Sequence, residues 1–576
     1  MTRNKSALLL FVIAHCIFVG GVYGADSNDN KDGDGNDTYN PRIPNTCSIV
    51  MAKSSIENSG WGVFSLVDRP IGNPVLPGEA VIVISDLNAT HATEMQRLTI
   101  DYGWNSAETG AQYEGVSTLS IIPGLGMLAN GSPMRFNMLP GIEGPSRDEA
   151  GATRHQSPGA GGFTHYFNQT FYNVKDINAG EEMIANYGPN WFQKRESEGG
   201  KDATQEKEVS LTKSVESLKQ TGFCLDNLIS GNSGIEHAGR GAFAARTLPK
   251  GSVVAPVPVL PITKRDAMDV TRLRQISQDI RIPSTTQQLL LNYCYGHPKS
   301  SILLFPYSPI VNLINHNSKR PNARLQWSSF NKQHDILSLG DLRSINTEKD
   351  SSSGELLLEL VATEDISEGD EVVVDYGQTW ETAWSKHVAE WEPSENKYAP
   401  AYIMDEAVPM LATQEELQSE NVYPQNVITS CFYRFDINDP AWVKQMEKLQ
   451  SFPAAKNITR SPWTLSPGIF ELENLRPCTV MQRFEVENPK NNDKEGDGNE
   501  EQEQEYYYTV VIRNRYGLKT QERIPVGHMH VVTHVPRQAI RFTDKIYTTD
   551  QHLPNAFRHE IGLGDDVFPS QWMDLA

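Results

Sequence analysis

The segment DISEGDEVVVDYGQTW, residues 365–380, has a close counterpart earlier in the chain, DINAGEEMIANYGPNW at residues 176–191. Both segments place an Asp-Ile pair and a glycine-acidic turn before a short run that ends in Tyr-Gly and, three residues later, Trp. A β-branched run between turn residues, such as EVVVD, is typical of a strand. The recurrence of this strand with its flanks predicts that part of the fold occurs twice.

Two further motifs repeat in the same order along the chain. SGWGVF at 59–64 matches AGRGAF at 238–243, and GMLANGSPMRFNM at 126–138 corresponds to NLINHNSKRPNAR at 312–324. Three ordered matches at nearly equal distances indicate two copies of one domain, because chance would not preserve the order. We assign residues 47–195 to a first repeat, 196–220 to a polar linker and 221–395 to a second repeat.

The remaining composition favours a mixed α+β, β-rich chain. Both repeats consist of short β-branched runs broken by glycine and proline, and residues 264–297 are predicted to be a small helical insertion. In the C-terminal region, 396–576, CTVMQRFEV at 478–486 and YYYTVVIRN at 506–514 predict a hairpin across an acidic low-complexity loop, 488–505. This region is therefore predicted to be a β-rich domain.

The N-terminus has the three-part form of a secretory signal peptide. Arg3 and Lys5 precede the apolar run 7–19, and small residues before Ala25 allow cleavage after residue 24. The apolar run is shorter than the roughly 20 residues of a membrane span, so no stable span is expected after its removal. An uncleaved anchor is the competing interpretation. Residues 25–46 are predicted to be a disordered acidic tail, and the protein to be luminal or extracellular.

Cysteines, sequons and net charge bear on the environment of the mature chain. With the signal peptide gone, an odd number of cysteines remains, so one stays free or pairs between chains: Cys47, Cys224, Cys294, Cys431 and Cys478. Possible N-glycosylation sites stand at Asn36, Asn88, Asn130, Asn168 and Asn457. The net charge of −21 argues against nucleic acid as a partner and is compatible with a basic protein.

Together the motifs of the second repeat resemble the SET-domain family. These are Gly-x-Gly-x-Phe at 239–243, Asn-His-x-Ser at 315–318 followed by Pro-Asn, and Gly-Asp-Glu-Val-x-x-Asp-Tyr-Gly at 369–377. Members of this family are mostly protein-lysine methyltransferases that use S-adenosylmethionine. The resemblance covers 221–395 well and 47–195 in degraded form, which implies two SET-like β-folds with helical insertions.

The resemblance implies roles for particular residues. The Gly-x-Gly backbone would approach the methionine part of the cofactor closely, since glycine has no Cβ. The Asn-His pair would anchor the amine and the adenine, although a buried turn that satisfies its own backbone is an alternative. The implied cofactor-binding residues are Gly239, Arg240, Gly241, Ala242, Asn315 and His316, and the implied catalytic residue is Tyr376, which would line the channel for the target lysine. Other channel aromatics could be Tyr293 and Tyr307.

Several features depart from the family pattern. The first repeat has Asn130-Gly131 in place of Asn-His and Asn186 in place of Asp375, so it is interpreted as a degenerate copy with a structural or substrate-positioning role. No cysteine cluster follows Tyr376, so the zinc-binding post-SET element is missing. A helix is predicted at 379–391, and its tryptophans, Trp380, Trp384 and Trp391, are expected to serve packing.

No metal site is predicted. There is no Cys-x-x-Cys pair, which argues against a zinc knuckle. His528, His530 and His534 would share one face of a strand and could bind zinc, but a solvated strand face explains them as well.

The sequence thus predicts an S-adenosylmethionine-dependent protein-lysine N-methyltransferase of the secretory pathway, acting on a protein with accessible lysines. The alternative is a catalytically inactive SET-like scaffold that binds a basic protein partner. A third reading treats the signal peptide as misassigned and the protein as a nuclear or cytosolic enzyme with a histone-like substrate. The substrate, the degree of methylation, the disulfide pairing and the oligomeric state stay open at this point.

Overall fold

The computed structural model describes most of the chain beyond the predicted signal peptide and tail. The described residues are 43–57, 59–85, 93–107, 118–141, 144–147, 153–188, 191–192, 210–275, 281–345, 356–395, 397–420, 422–435, 438, 440, 443–444, 447, 458–485, 506–514, 520–545 and 548–575. The signal peptide, nearly all of the acidic tail, most of the linker and the acidic loop 488–505 lie outside them. None of the helices in these ranges is long and apolar enough to cross a membrane.

The first repeat is built from short strands in small antiparallel sheets. Its strands are β1 Ile49–Lys53, β2 Trp61–Ser65, β3 Glu79–Ile84, β4 Gly103–Trp104, β5 Leu119–Ile121, β6 Met138–Pro140, β7 Ser146–Arg147, β8 Tyr166–Gln169, β9 Phe171–Asn173 and β10 Glu182–Met183. Its helices are α1 Thr93–Tyr102 and α2 Leu125–Leu128. The strand orders are β10-β2-β1 in one sheet, β4-β5-β3-β8-β7 in a second and β6-β9 in a third. Strand β3 lies at the centre of the second sheet and is buried throughout.

The second repeat, residues 221–395, is also rich in strands, several of them longer than those of the first. The linker ends in α3 Val215–Thr221. The second repeat contains β11 Phe223–Cys224, β12 Leu228–Asn232, β13 Arg240–Ala244, β14 Val253–Ile262, β15 Asp269–Gln275, β16 Arg281–Gln287, β17 Tyr295–Gly296, β18 Leu303–Pro306, β19 Asn315–His316, β20 Ala323–Trp327, α4 Gln333–Ile336, α5 Leu339–Ile345, β21 Leu357–Ala362, β22 Glu371–Val374 and α6 Gln378–Glu390. One sheet has the order β12-β13-β22-β19, and another contains β20-β21-β14-β18-β17. The predicted helix at 379–391 is confirmed as α6.

The prediction of a small helical insertion at 264–297 is wrong. Strands β15 and β16 form a regular antiparallel hairpin there, and the flanks are short 3₁₀ turns at 265–268 and 289–293. The β-branched residues Val270, Thr271, Ile282, Thr285 and Thr286 fit an extended backbone better than a helix.

The C-terminal region contains one larger sheet. Its elements are α7 Ala401–Ala407, α8 Gln414–Glu420, β23 Val427–Phe432, β24 Ile458–Pro462, β25 Leu475–Glu485, β26 Tyr506–Ile512, β27 Met529–Pro536, β28 Ile540–Asp544 and β29 Ile561–Gly562. The sheet order is β24-β27-β26-β25-β23-β28. The hairpin predicted between 478–486 and 506–514 is confirmed, since β25 and β26 pair antiparallel.

Both ends of the second repeat are joined to other parts of the chain. Strand β11 pairs with β1 and extends the first repeat's sheet, and the adjoining Cys47 and Cys224 form a disulfide. Strand β29, which follows the C-terminal sheet, pairs in parallel with β17. One hydrophobic core contains Ile82 and Phe171 of the first repeat together with Leu290 and Phe305 of the second. The two repeats therefore share a hydrophobic core and are not separate domains joined only by a linker.

Candidate functional site

A largely apolar cavity of about 190 Å³ lies at the end of the β12-β13-β22-β19 sheet. Of the residues singled out in the sequence, Arg240, Asn315, His316 and Tyr376 line it. Gly239, which precedes β13, and Gly241 and Ala242 within it do not form the cavity surface. The three sequence motifs thus meet at one place, and the cavity is the candidate active site.

Asn315 connects two of these motifs through its side chain. Its Nδ2 donates to the backbone oxygen of Arg240 at 2.9 Å and to Glu371 Oε1 at 3.0 Å. The Glu371 carboxylate also accepts from Ser233 Oγ at 2.6 Å. No donor among the described residues bonds to Asn315 Oδ1, so this oxygen is a free acceptor.

Gly241 is required by this polar arrangement. A Cβ atom at this position would lie 2.4 Å from Glu371 Oε1 and 3.3 Å from Asn315 Nδ2. Gly239 adopts φ +73°, in the left-handed region, and a Cβ there would lie 2.5 Å from the Phe163 ring. The Gly-x-Gly motif therefore keeps the β13 backbone close to its neighbours.

His316 is held as a neutral imidazole. Its Nδ1 accepts a hydrogen bond of 2.9 Å from the backbone N–H of Tyr376, so that nitrogen carries no proton. Burial lowers the pKa of His316 from its ordinary value, and the carboxylate of Asp375, 3.8 Å from Nδ1, opposes this shift only in part. The ring packs between Tyr376 and Trp380, with centroids 5.3 and 4.8 Å away.

Tyr376 presents a protonated phenol to the cavity. Its hydroxyl donates to the backbone oxygen of Ile314. Burial raises the pKa of Tyr376 well above its usual range, and the nearby Tyr295, Tyr293 and Glu371 raise it further. Since the O–H proton is used on Ile314, the phenolic oxygen keeps a lone pair that can accept a hydrogen bond from a ligand.

The other aromatic residues divide between cavity and core. Tyr293 lines the cavity, as does Tyr295, which the sequence did not single out, whereas Tyr307 packs against Tyr102 in the core. Contrary to the expectation of packing alone, Trp380 and Trp384 also line the cavity; Trp391 does not.

Further lining residues come from outside the second repeat and were missed in the sequence. Phe163 and Phe167 belong to the first repeat, and Phe557 and Ile561 follow the C-terminal sheet. No local motif marks these four residues, because their position depends on long-range packing.

The first repeat contains a matching set of polar contacts. Asn130 Nδ2 donates to the Trp61 backbone oxygen at 2.9 Å and to Glu182 Oε1 at 3.2 Å, as Asn315 does to Arg240 and Glu371. The Tyr187 hydroxyl donates to the Ala129 backbone oxygen, as Tyr376 does to Ile314. These contacts occupy the nitrogen of the sequon residue Asn130, so a glycan there would have to replace them.

The matching position of His316 is Gly131, and the first repeat has no room for an imidazole there. A Cβ on Gly131 would lie 2.4 Å from the ring of Tyr187. That ring packs on Trp104 and Trp191, with centroids 6.0 and 4.8 Å away. Aromatic side chains therefore fill the space that is a cavity in the second repeat.

The cysteine and histidine predictions have definite outcomes in the described residues. Two disulfides form, Cys47–Cys224 and Cys431–Cys478, and Cys294 is a buried thiol whose pKa is raised by burial. His530 is buried and bonds to Thr459 Oγ1 at 2.6 Å, while His534 is exposed. The three C-terminal histidines do not form a metal-ligand cluster in the described part of the chain.

Two of the five predicted glycosylation sites can be located. Asn130 and Asn168 are described, and Asn168 adopts a positive φ of 67° within β8. The other three, Asn36, Asn88 and Asn457, lie outside the described residues.

Comparison with known proteins finds a similarity that lies within the second repeat. The family profile named SET domain matches residues 239–377. A candidate histone methyltransferase of Plasmodium falciparum is 19% identical, with 27% of this chain and 96% of that chain covered and a TM-score of 0.16. No curated protein sequence matches the chain.

Polycomb repressive complex 2 structures also match. A humanized mutant of the Chaetomium thermophilum complex bound to an inhibitor is 22% identical, covering 26% of this chain and 16% of that chain, with a TM-score of 0.17. The ctPRC2 complex in an autoinhibited conformation bound to S-adenosylmethionine is 21% identical, covering 27% and 17%, with a TM-score of 0.16. The chain thus spans only 16–17% of these polycomb chains.

Proposed function

We propose that the second repeat is an S-adenosylmethionine-dependent protein-lysine N-methyltransferase. The observation that carries this proposal is the meeting of Arg240, Asn315, His316 and Tyr376 at one cavity within the segment that matches the SET domain. The first repeat is proposed to be a degenerate SET-like copy, since it keeps the Asn130–Glu182 contact but has Gly131 at the position of the imidazole.

The cavity residues fit the proposed cofactor chemically. Asn315 Oδ1 accepts no hydrogen bond from any residue that the structure describes, so it could accept one from an ammonium group. Strand β19 is an edge strand, and the Asn317 N–H bonds Val374 O, so the alternation of a β ladder leaves the N–H and C=O of His316 on the open edge. These groups suit the donor and acceptor pattern of an adenine edge, with Trp380 beside them for stacking.

When bound, S-adenosylmethionine would supply an electrophilic methyl group. The residues of this chain would prepare the target amine for it. The buried phenols of Tyr293, Tyr295 and Tyr376 exclude water, and desolvation lowers the pKa of a lysine, so the amine enters neutral with its lone pair available. The Tyr376 oxygen accepts one N–H of this amine and fixes its direction, so positioning supplies most of the rate.

The proposed location is the secretory pathway. Two disulfides in the described residues fit an oxidising compartment, as does the form of the N-terminus. A protein with accessible lysines in that compartment is the proposed substrate, and S-adenosylmethionine would have to enter the same compartment.

The decisive experiment is calorimetric titration of the full chain with S-adenosylmethionine, beside His316→Ala and Tyr187→Phe. The full chain is needed because β11 and β29 tie the second repeat to its neighbours. We expect micromolar binding that His316→Ala abolishes and Tyr187→Phe leaves unchanged. No binding by the folded wild-type chain would refute the enzyme.

A binding protein is the second candidate function. The filled site of the first repeat and the net charge of −21 favour a scaffold for a basic partner. Incubating the wild-type protein with methyl-labelled cofactor and a lysine-rich secreted protein separates the two. Label on lysine supports the enzyme, whereas cofactor binding without transfer to any basic protein supports the scaffold.

A further inference from the structure

Two segments from outside the second repeat close its cavity. One, residues 159–164 of the first repeat, contributes Phe163 and Thr164; the other, residues 557–562, contributes Phe557 and Ile561. We propose that these two wall segments are positioning elements of the methyltransferase site, an inference that rests on the proposed function. The first repeat and the end of the described chain would then take part in the chemistry of the second repeat.

The 557–562 segment docks as a strand beside the channel aromatics. The Ile561 N–H donates to the Cys294 oxygen at 2.8 Å, and the Leu563 N–H donates to the Gly296 oxygen at 2.8 Å. This parallel pairing sets Ile561 opposite Tyr295. The wall is therefore fixed by backbone hydrogen bonds and not by side-chain packing alone.

Gly562 ties this strand directly to Tyr376. Its N–H donates to the Tyr376 backbone oxygen at 2.9 Å, and a Cβ at position 562 would lie 2.8 Å from that oxygen. Tyr376 is thus held by His316 through its N–H and by Gly562 through its C=O. Only glycine permits the second contact without displacing Tyr376.

Phe557 supports the opposite side of the cavity. Its ring packs edge-on against Trp380 and Trp384, with centroids 5.6 and 5.1 Å away. Trp380 in turn packs on His316, which places Phe557 behind the proposed adenine position.

Two side chains hold the wall segments together. Asn292 Nδ2 donates to the Gly162 oxygen at 2.7 Å and to the Phe557 oxygen at 2.9 Å. Arg558 Nη1 donates to the Gly161 oxygen at 2.7 Å and to the Phe557 oxygen at 2.8 Å. Because each side chain contacts both segments, displacement of one would disturb the other.

The test compares Gly562→Ala and Phe557→Ala with Val567→Ala in the full chain. Val567 belongs to the same C-terminal stretch and packs on the second repeat's core, but it does not line the cavity, so it controls for lost packing. We expect Gly562→Ala to lower kcat about tenfold or more with the Kd for S-adenosylmethionine within about twofold, because Tyr376 shifts. Phe557→Ala should raise that Kd about tenfold, because Trp380 loses its support.

Hydrogen exchange without any ligand gives a second readout. Amides of residues 374–384 should exchange faster in both wall variants and normally in Val567→Ala. Unchanged exchange, or unchanged kcat and Kd in variants of an active enzyme, would overturn the wall inference and leave the proposed function intact. A wild-type chain that binds no cofactor would instead overturn the proposed function, and with it the role of the wall in catalysis.

Discussion

The two repeats hold the same polar frame around different interiors. In each, an asparagine amide donates to a backbone oxygen of the Gly-x-Gly strand and to a glutamate carboxylate, and a tyrosine hydroxyl donates to the backbone oxygen of the residue before that asparagine. In the second repeat the frame surrounds a cavity, and in the first it surrounds packed rings. Both repeats therefore share the frame, and they differ at the position of Gly131, where the second repeat has His316.

The largest difference between the two repeats is expected when the two tyrosine hydroxyls are removed in separate variants. Tyr376→Phe should lower methyl transfer about 10²-fold, because an oriented hydrogen-bonding group at the reacting centre is lost. Tyr187→Phe should leave the rate unchanged, although it loses an equivalent hydrogen bond worth about 1 kcal/mol of stability. Steady-state rates and thermal unfolding of both variants measure the two effects.

Equal rates in these two variants would contradict the assignment of activity to the second repeat. Calorimetry supplies the control, because Tyr376→Phe should still bind S-adenosylmethionine within about threefold of wild type. In the proposed site the hydroxyl would face the target amine and not the cofactor's recognition groups.

The disulfide between the repeats tests whether they are one folding unit. Cys47→Ser with Cys224→Ser should lower the free energy of unfolding by about 2–4 kcal/mol, since the bond closes a loop with a sequence separation of 177. The corresponding loss for Cys431–Cys478, with a separation of 47, should be smaller. Urea unfolding measures both losses. If the first repeat unfolds separately only in the Cys47 variant, the disulfide is what makes the two repeats one folding unit.

A buried carboxyl distinguishes strand β3 of the first repeat from strand β14 of the second. Glu79 in β3 accepts from the Leu125 N–H, and burial raises its pKa to about 8, whereas β14 carries no charged residue. The unfolded chain loses this proton near its ordinary value of 4.5, so stability falls as pH rises between the two values, by at most about 1.4 kcal/mol per pH unit. Glu79→Gln should flatten that dependence.

Urea unfolding of wild type and Glu79→Gln at several pH values between 5 and 8 checks this prediction. The two stability curves should diverge as the pH rises, with the variant gaining relative to wild type. Parallel curves would mean that Glu79 ionises as easily in the folded chain as in the unfolded one.

The smallest effect is expected at the residue before each tyrosine. Asp375 Oδ1 accepts from the Gly377 N–H at 2.8 Å, and Asn186 Oδ1 accepts from the Gly188 N–H at 2.9 Å. Asp375→Asn preserves that contact and removes a half-exposed charge, so kcat/KM should stay within about threefold of wild type. A loss above about tenfold would show that the charge itself separates the two repeats.

The sequence predicted the residues that belong to local motifs, but not the contacts between distant parts of the chain. The Gly-x-Gly, Asn-His and Tyr-Gly motifs identified Arg240, Asn315, His316 and Tyr376, which the structure places at one cavity. Each motif is a run of adjacent residues and can therefore be recognised in the sequence alone. The hairpin of β25 and β26 was likewise visible from β-branched and aromatic runs. The hairpin at 269–287 was missed because its many polar residues hide the alternation of apolar and polar residues that is typical of a strand.

Residues that reach the cavity from elsewhere could not be found in this way. Phe163 and Phe557 stand in glycine-rich and polar surroundings, and no periodicity marks them as cavity residues. Their role depends on β29 pairing with β17 and on the bonds of Asn292 and Arg558 to distant backbone oxygens. Such contacts are properties of the assembled fold.

The docking of β29 also sets the order in which the site is assembled during synthesis. Phe557 follows Tyr376 by roughly 180 residues, which at 5–20 residues per second separates their appearance by roughly 10 to 40 s. During that interval all three SET motifs have been made, but Trp380 lacks Phe557 and Tyr376 lacks the N–H of Gly562. A growing chain therefore holds a complete set of motifs and an incomplete cavity, so the proposed methyl transfer would begin only after Phe557 and Gly562 have been made.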